Sequence, residues 1–456
     1  MNPWTLIYEG FEPSKECLCE ALCTLGNGYF ATRGAAPESE AGEVHYPGTY
    51  LAGGYNRLKT EIAGRIVENE DLVNMPNWLV TRFRPENGDW FNLLSVEILS
   101  YRQELNLKRG LLSRTVRFRD RHGRETSLIQ RRFIHMEQMH LAGLETTILP
   151  ENWSGRIQVL SAIDGTVINA GVERYKQLNS KHLLPVRSEA ADRETICLLV
   201  ETSQSRLQVA EAARTRVHSG EKPIEIERKL LERPGFIGQE FFVEVAEKEP
   251  VKIEKIFSFF TSKDFAISEP ALEAVEAVEH AAGFDELLAS HIRHWDHLWD
   301  RCDIQLENSE RPQMILRLHI FHLLQTVSRN TIDLDIGVPA RGWHGEAYRG
   351  HIFWDELFIF PYLNLRIPIL TRSLLLYRYR RLDGARWAAQ KEGFEGALYP
   401  WQSSSNGREE TQQLHLNPKS GRWLPDNTHL QRHVNAAVAY NVWQYYKTTG
   451  DREFLS

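Results

Sequence analysis

The side chains best suited to chemistry lie between Arg349 and Thr411. The stretch opens with RGHIFWDELFIFP, Arg349 to Pro361, and closes with GALYPWQSSSNGREET, Gly396 to Thr411. Trp354 is followed by Asp355 and Glu356, and Trp401 by Gln402. A flat apolar face beside acceptors and donors is what a sugar ring asks of a site. Its C–H face packs on an aromatic, while its hydroxyls need hydrogen bonds near the ring plane. Asp355 also falls where a helix N-cap would sit, and capping and binding can coexist. Glu409 and Glu410 read as solvated or loop-bracing groups. His291, His294 and His297 recur three apart, on what reads as a solvated helix face rather than a metal site. Cys17, Cys19 and Cys23 have a C-x-C-x3-C spacing that matches no zinc pattern.

Composition narrows the class. The chain has 456 residues, 42% hydrophobic and 25% charged, long enough for about two to three domains with a large core. A net charge of -7, with no concentrated basic face, argues against a nucleic-acid partner. The cysteines number five, Cys17, Cys19, Cys23, Cys197 and Cys302. An odd set with three crowded together argues against a disulfide framework and for a reducing compartment. The N-terminal MNPWTLIYEGFEPSKE has neither the basic nor the apolar part of a signal peptide. No apolar run is long enough to span a bilayer. The cytoplasm is therefore the expected location, with no membrane partner.

The elements that must position these residues fall into three parts. Residues 1–265 read as an antiparallel β-sandwich: short alternating runs such as Trp90–Ser100, Arg114–Asp120, Glu125–Met136, His140–Leu149 and Gly155–Asp164 follow one another without helices between them. Residues 266–312 read as a helical linker, with Leu287, Leu288, Ile292, Trp295 and Trp299 at three- and four-residue steps from Ala271 to Cys302. Residues 313–456 read as all-α. Helices are expected over Met314–Arg329, Asp355–Asn364, Ile367–Gln390 and Thr428–Gly450, the last stopped by Gly450. Between them run long polar loops, Asn330–Gly350 and Lys391–Asn427, of the kind that carries function.

With these motifs in place, the chain resembles glycoside hydrolase family 65, the phosphorylases of trehalose, maltose, kojibiose and nigerose together with the family's trehalases. LGNGYFATRG, HYPGTY and VENEDLVNMPNW look like the start of its N-terminal domain. RGHIFWDELFIFP and GALYPWQSSSNGREET look like two central motifs of its helical domain, and Gly421–Asp451 resembles the helix after them. The resemblance implies a β-supersandwich, a helical linker and an (α/α)6 barrel. It also implies inverting cleavage of an α-glucosidic disaccharide, with a Glu as general acid and phosphate or water as nucleophile. No organic cofactor or metal is implied, only inorganic phosphate as a co-substrate, and a homodimer is an assembly the family allows.

Carried over by position, Trp354 and Asp355 match the motif that holds the non-reducing glucose, where a carboxylate takes two hydroxyls. Arg349 and His351 flank and orient it. Trp401 and Gln402 match the wall of the leaving-sugar subsite, although some members have Glu where Gln402 stands. Thr428 lies where the leaving sugar is contacted. The glycines of LGNGYFATRG read as turn formers, since no helix follows them to make a phosphate loop, and one loop of the β-domain is expected to reach the site. No GPDE-like segment occurs, so the general acid is expected beyond Ser456, in the remainder of a longer enzyme. MILRLHIFHLL and HVNAAVAYNVW are then expected to lack neighbours, at roughly 1.5–3 kcal/mol per large side chain. Trehalose is favoured as substrate on the likeness of Leu424–Tyr446. The alternatives are a carbohydrate-binding fragment without an acid, and a hydrolase using Glu356 or Glu410.

Overall fold

The computed structural model describes residues 2–62, 64–220, 222–307 and 310–455. Among them, period-2 alternation produces strands with one face inward. In Leu111–Arg119, Arg114, Val116 and Phe118 are buried while Thr115 and Arg117 face water. Nine strands pair antiparallel along one large sheet. It runs from Thr5–Glu9 through Glu97–Asn106, Leu111–Arg119, Glu125–Ile134 and Leu141–Pro150 to Val251–Thr261, Gln208–Ser219, Thr195–Thr202 and Leu183–Ala190. Lys222–Pro223 adds a short tenth strand on Gln208–Ser219. Facing sheets of four strands are built from Thr81–Pro85, Gly155–Asp164, Arg228–Arg233 and Phe236–Val245, and from Leu25–Gly26, Phe30–Thr32, Thr49–Ile62 and Arg65–Met75. The last sheet matters most here, because its long Thr49–Ile62/Arg65–Met75 hairpin reaches the helices.

The helices differ from their sequence-based limits in instructive ways. The expected Ala271–Cys302 helix is two, Pro270–His280 and Phe284–Cys302. The break is held by Arg214, which donates to the carbonyls of Val278 and Ala281, and by Glu254 Oε2, which accepts from Phe284 N at 2.9 Å. The expected Ile367–Gln390 helix is also two, Pro368–Tyr379 and Leu382–Lys391. At that break Arg381 turns to Asp335 and to the Tyr377 and Ser405 carbonyls. The last helix spans Val434–Thr449, with Thr428–Leu430 a separate turn tied to Asp426. Gly450 ends it in the left-handed conformation, its N–H reaching the Tyr446 carbonyl at 2.8 Å. The second long loop contains a hairpin, Leu414–Asn417 with Arg422–Pro425.

One continuous core joins the parts. Leu25, Phe30, Trp78 and Phe257 of the sheets lie in the same buried cluster as Trp295 and Trp299 of the linker and Phe321, Phe360, Leu374 and Tyr445 of the later helices. The Trp stripe therefore faces inward, and Trp299 Nε1 donates to the Leu107 carbonyl at 2.9 Å. The helix Glu310–Thr326 buries Leu318, Ile320, Phe321 and Leu324 against the sandwich, so the expectation that it would lack neighbours fails. Apolar exposure falls instead on later helices, at Leu365 (75%) and Trp443 (53%).

The histidines of the linker do not converge. His291 accepts from Met136 N and contacts the Gly110 carbonyl, while His294 meets Glu137. All five cysteines are free thiols. Among the described residues, metal-ligand spacing occurs at Glu16, Glu20 and His45, where Glu20 already takes His45 Nδ1 and Tyr46 N, each at 2.9 Å. No described helix is long and apolar enough to cross a membrane.

Candidate functional site

Three loop segments meet side by side to make the site. Ile352 N donates to the Ser403 carbonyl at 2.8 Å and Ser403 N returns to Ile352 at 3.1 Å, while Ala340 N reaches the His351 carbonyl at 3.2 Å. Residues distant in sequence therefore wall one cavity of about 540 Å³. Arg349, Phe353, Trp354 and Asp355 face Trp401, Gln402, Thr411 and Gln412, with His415, Asp426 and Thr428 from the hairpin end. Arg174 and Tyr175 of the sandwich close it, as the expectation of a β-domain loop at the site requires. The volume suits a disaccharide-sized ligand and the lining is mostly polar. A larger cavity of about 790 Å³ adjoins across Ala340 and Arg341, but its wall is mostly apolar, with Leu323, Phe358 and Ile359.

Asp355 sits at the start of the helix Glu356–Arg366, yet its side chain makes no capping bond. Its carboxylate is left to the cavity, and burial raises its pKa above the usual range. Trp354 is half-buried beside it. Trp401 is 8% exposed, packed edge-on to Phe353 at 5.8 Å between ring centroids. His433, at the head of the last helix, contacts both tryptophans, at 5.5 Å from Trp354 and 4.6 Å from Trp401. Nothing in the sequence pattern marks His433.

Glu409 braces the wall: Oε2 accepts from Trp401 N at 2.7 Å, and Oε1 from Gln402 N at 3.2 Å and Thr411 Oγ1 at 2.6 Å. Glu410 is held bidentately by Arg57, at 2.9 and 2.7 Å. Glu356 is buried against Arg378 at 3.2 Å, and burial raises its pKa. Neither Glu356 nor Glu410 lines the cavity.

His351 is also outside the cavity, behind its wall. Nε2 stands 2.8 Å from the Glu70 carbonyl oxygen and Nδ1 3.0 Å from Gln402 Oε1. A carbonyl can only accept, so the Nε2 contact calls for an N–H there, and a neutral ring then offers Nδ1 as an acceptor. The Gln402 atom that faces Nδ1 is Oε1, so a ring protonated on Nε2 is satisfied at Nδ1 only with the Gln402 amide turned to offer its NH₂. His351 is fully buried and does not line the cavity.

The sandwich grips this assembly through the hairpin Thr49–Ile62/Arg65–Met75, from which Arg57 holds Glu410 and Tyr55 Oη donates to the Gly350 carbonyl at 2.6 Å. Glu70 takes Ser404 Oγ and, at 2.6 Å, Ser405 Oγ. Asp71 pairs with Arg349, which is 2% exposed. Between these anchors the backbone is strained: Tyr348, Arg349 and Gly350 have φ of 54°, 58° and 68°. Gly350 is required twice over, since a Cβ there would lie 2.5 Å from Leu72 Cβ. No local pattern in VENEDLV marks Glu70 or Asp71 for this role. Thr428 lines the cavity, its hydroxyl bound to Asp426.

The fold is thus an antiparallel sandwich docked on packed helices, with a polar cavity at their loop end. The chain belongs to glycosyl hydrolase family 65. Residues 6–298 match the family's N-terminal domain and residues 317–456 its central catalytic domain. An uncharacterized glycosyl hydrolase of Mycobacterium tuberculosis is 48% identical over 454 residues, covering 100% of this chain and 34% of that protein. A kojibiose phosphorylase of Halothermothrix orenii is 32% identical, covering 99% of this chain and 57% of its own length. A putative kojibiose phosphorylase from the human microbiome superposes with a TM-score of 0.83 at 20% identity, over 100% of this chain and 57% of that one. The chain thus spans between a third and somewhat over half of these relatives.

Proposed function

We propose that the chain forms the sandwich and first barrel helices of an enzyme that cleaves an α-glucosidic disaccharide with inversion. The observation that carries this is the uncapped carboxylate of Asp355 beside Trp354 in a polar cavity of about 540 Å³. Trp354 supports the non-reducing glucose and Asp355 accepts its hydroxyls. Trp401 and Gln402 face the leaving sugar, with Thr428 at its far edge. Inorganic phosphate as co-substrate accords with the phosphorylase relatives, and water is the alternative nucleophile. The general acid is supplied by a segment outside these 456 residues. Trehalose is the first candidate substrate, on the likeness of Leu424–Tyr446 to the trehalose-cleaving branch, and kojibiose the second.

A second reading, a carbohydrate-binding unit without its own acid, is favoured by the pairing of Glu356 and Glu410 away from the cavity. Calorimetric titration with α,α-trehalose and kojibiose tests both. Binding of either is expected, and Asp355→Asn should weaken it roughly ten- to hundredfold, the loss of charge-assisted bonds worth about 1.5–3 kcal/mol. Absence of binding, or an unchanged Asp355→Asn variant, overturns the carbohydrate site. Release of glucose 1-phosphate rather than two glucoses by the full-length enzyme would select phosphate over water. Binding without turnover by the full-length enzyme would mark the second reading.

A further inference from the structure

The first helix carries a buried pair of carboxylates that the fold leaves half used. Glu16 and Glu20 stand four residues apart on the helix Glu16–Leu22, so both side chains fall on one side of it. That side faces inward, with Glu16 4% and Glu20 0% exposed. His45 reaches the same place from 33–48, a segment without strand or helix between Phe30–Thr32 and Thr49–Ile62. One ligand atom from each of the three lies within 4.8 Å of the other two.

Glu20 has partners: Oε1 stands 2.9 Å from His45 Nδ1, and Oε2 accepts from Tyr46 N at 2.9 Å. The Glu16 carboxylate points into the cluster with no hydrogen bond or ion pair among the described residues. The neighbouring arginines are spent elsewhere. Arg33 gives Nε, Nη1 and Nη2 to the carbonyls of Tyr46, His344 and Cys17, with Nη2 3.6 Å from Glu20 Oε2. Arg114 pairs with Glu38. Burial and the Glu20 charge both raise the Glu16 pKa. A buried carboxylate without a donor, beside a second carboxylate, is costly, and a cation between them removes that cost.

We propose that Glu16, Glu20 and His45 form a divalent-cation site whose ligand chemistry fits Zn²⁺. Two carboxylate oxygens and one imidazole nitrogen supply three corners of a tetrahedron, and water the fourth. Calcium and magnesium prefer all-oxygen sets. Ligands about 2.0–2.2 Å from the ion lie about 3.4 Å from one another, so the cluster has only to contract slightly. Nδ1 binds through its lone pair, and the proton it shares with Glu20 leaves to solvent. The ion acts as a clip. It ties the first helix to 33–48, where the adjacent Tyr46 donates to Glu346, the residue before the turn Ala347–Gly350 that leads into the sugar cavity.

The chain, stripped with EDTA and titrated with zinc chloride while bound metal is counted by mass spectrometry, tests this. One Zn²⁺ per chain is expected, and it should raise the unfolding temperature. Glu16→Gln and His45→Gln should each weaken binding by at least about tenfold and abolish the rise, whereas Cys17→Ser should change neither. Co²⁺ in place of Zn²⁺ should show no thiolate charge-transfer band. Absence of stoichiometric Zn²⁺, or equal binding by the unaltered chain and both variants, overturns the proposal. A thiolate band overturns it too, assigning the metal to the cysteines. His45→Gln, at a partly exposed side chain, carries the test alone should Glu16→Gln fail to fold.

Discussion

Asp71→Asn removes the carboxylate paired with Arg349 while preserving shape. The pair is buried, and Asp71 also takes Asn69 Nδ2 and lies 3.6 Å from His182 Nε2. Removing one partner of a buried ion pair costs about 3–5 kcal/mol, because the other charge stays behind without compensation. The neighbouring backbone has little to set against this. Tyr348 and Arg349 hold left-handed conformations at of order 1–3 kcal/mol each, tolerated while Arg349 is fixed. The variant should therefore open locally at 348–352, with the sandwich intact. At about 1.4 kcal/mol per tenfold, backbone amides of that turn should exchange with deuterium roughly a hundred to a few thousand times faster. Amides of Val251–Thr261, within the sandwich, serve as the internal control. Sugar affinity should fall in parallel, since Trp354 and Asp355 follow the turn directly. Unchanged exchange at 348–352 with unchanged affinity would refute the reasoning that the sandwich holds the site through Asp71.

Two further outcomes are expected. Ring ¹⁵N spectra should place the His351 proton on Nε2, and His351→Gln, which can still reach Glu70 but not Gln402, should weaken sugar binding by about tenfold without lowering the unfolding temperature; a proton on Nδ1 would contradict the assignment. Glu346, bound by Tyr46, Tyr50 and Gly171 N, has its pKa pushed up to about 7, chiefly by burial. A raised carboxyl pKa stabilises the fold most below the ordinary value of 4.5 and loses that contribution as pH rises through about 7. Denaturant midpoints measured between pH 4.5 and 7 should therefore fall with rising pH by the equivalent of about 3 kcal/mol more in the native chain than in Glu346→Gln; parallel profiles for the two would count against it.

Much of the fold was legible because it follows from local pattern. Alternation in Leu111–Arg119, the Trp stripe of the linker and the stop at Gly450 each depend on residues a few positions apart. The cavity was partly legible for the same reason: Trp354, Asp355, Trp401 and Gln402 lie in two short motifs with recognisable chemistry. Helix limits were less so, since Arg214 and Arg381 break two periodic segments by capturing carbonyls from elsewhere in the chain.

What the sequence by itself determined is therefore the set of elements, the family and the loops that hold the site, all written in spacings a strand or helix can express. Tertiary structure alone decided how those loops are held. Asp71 meets Arg349, Glu70 meets His351 and the serines, and Tyr175 covers a guanidinium, all across separations of about 170 residues or more. Those partners are chosen by burial and by the need to satisfy charge away from water, which no local periodicity records. The same reason buries His351 behind the cavity wall, between Glu70 and Gln402.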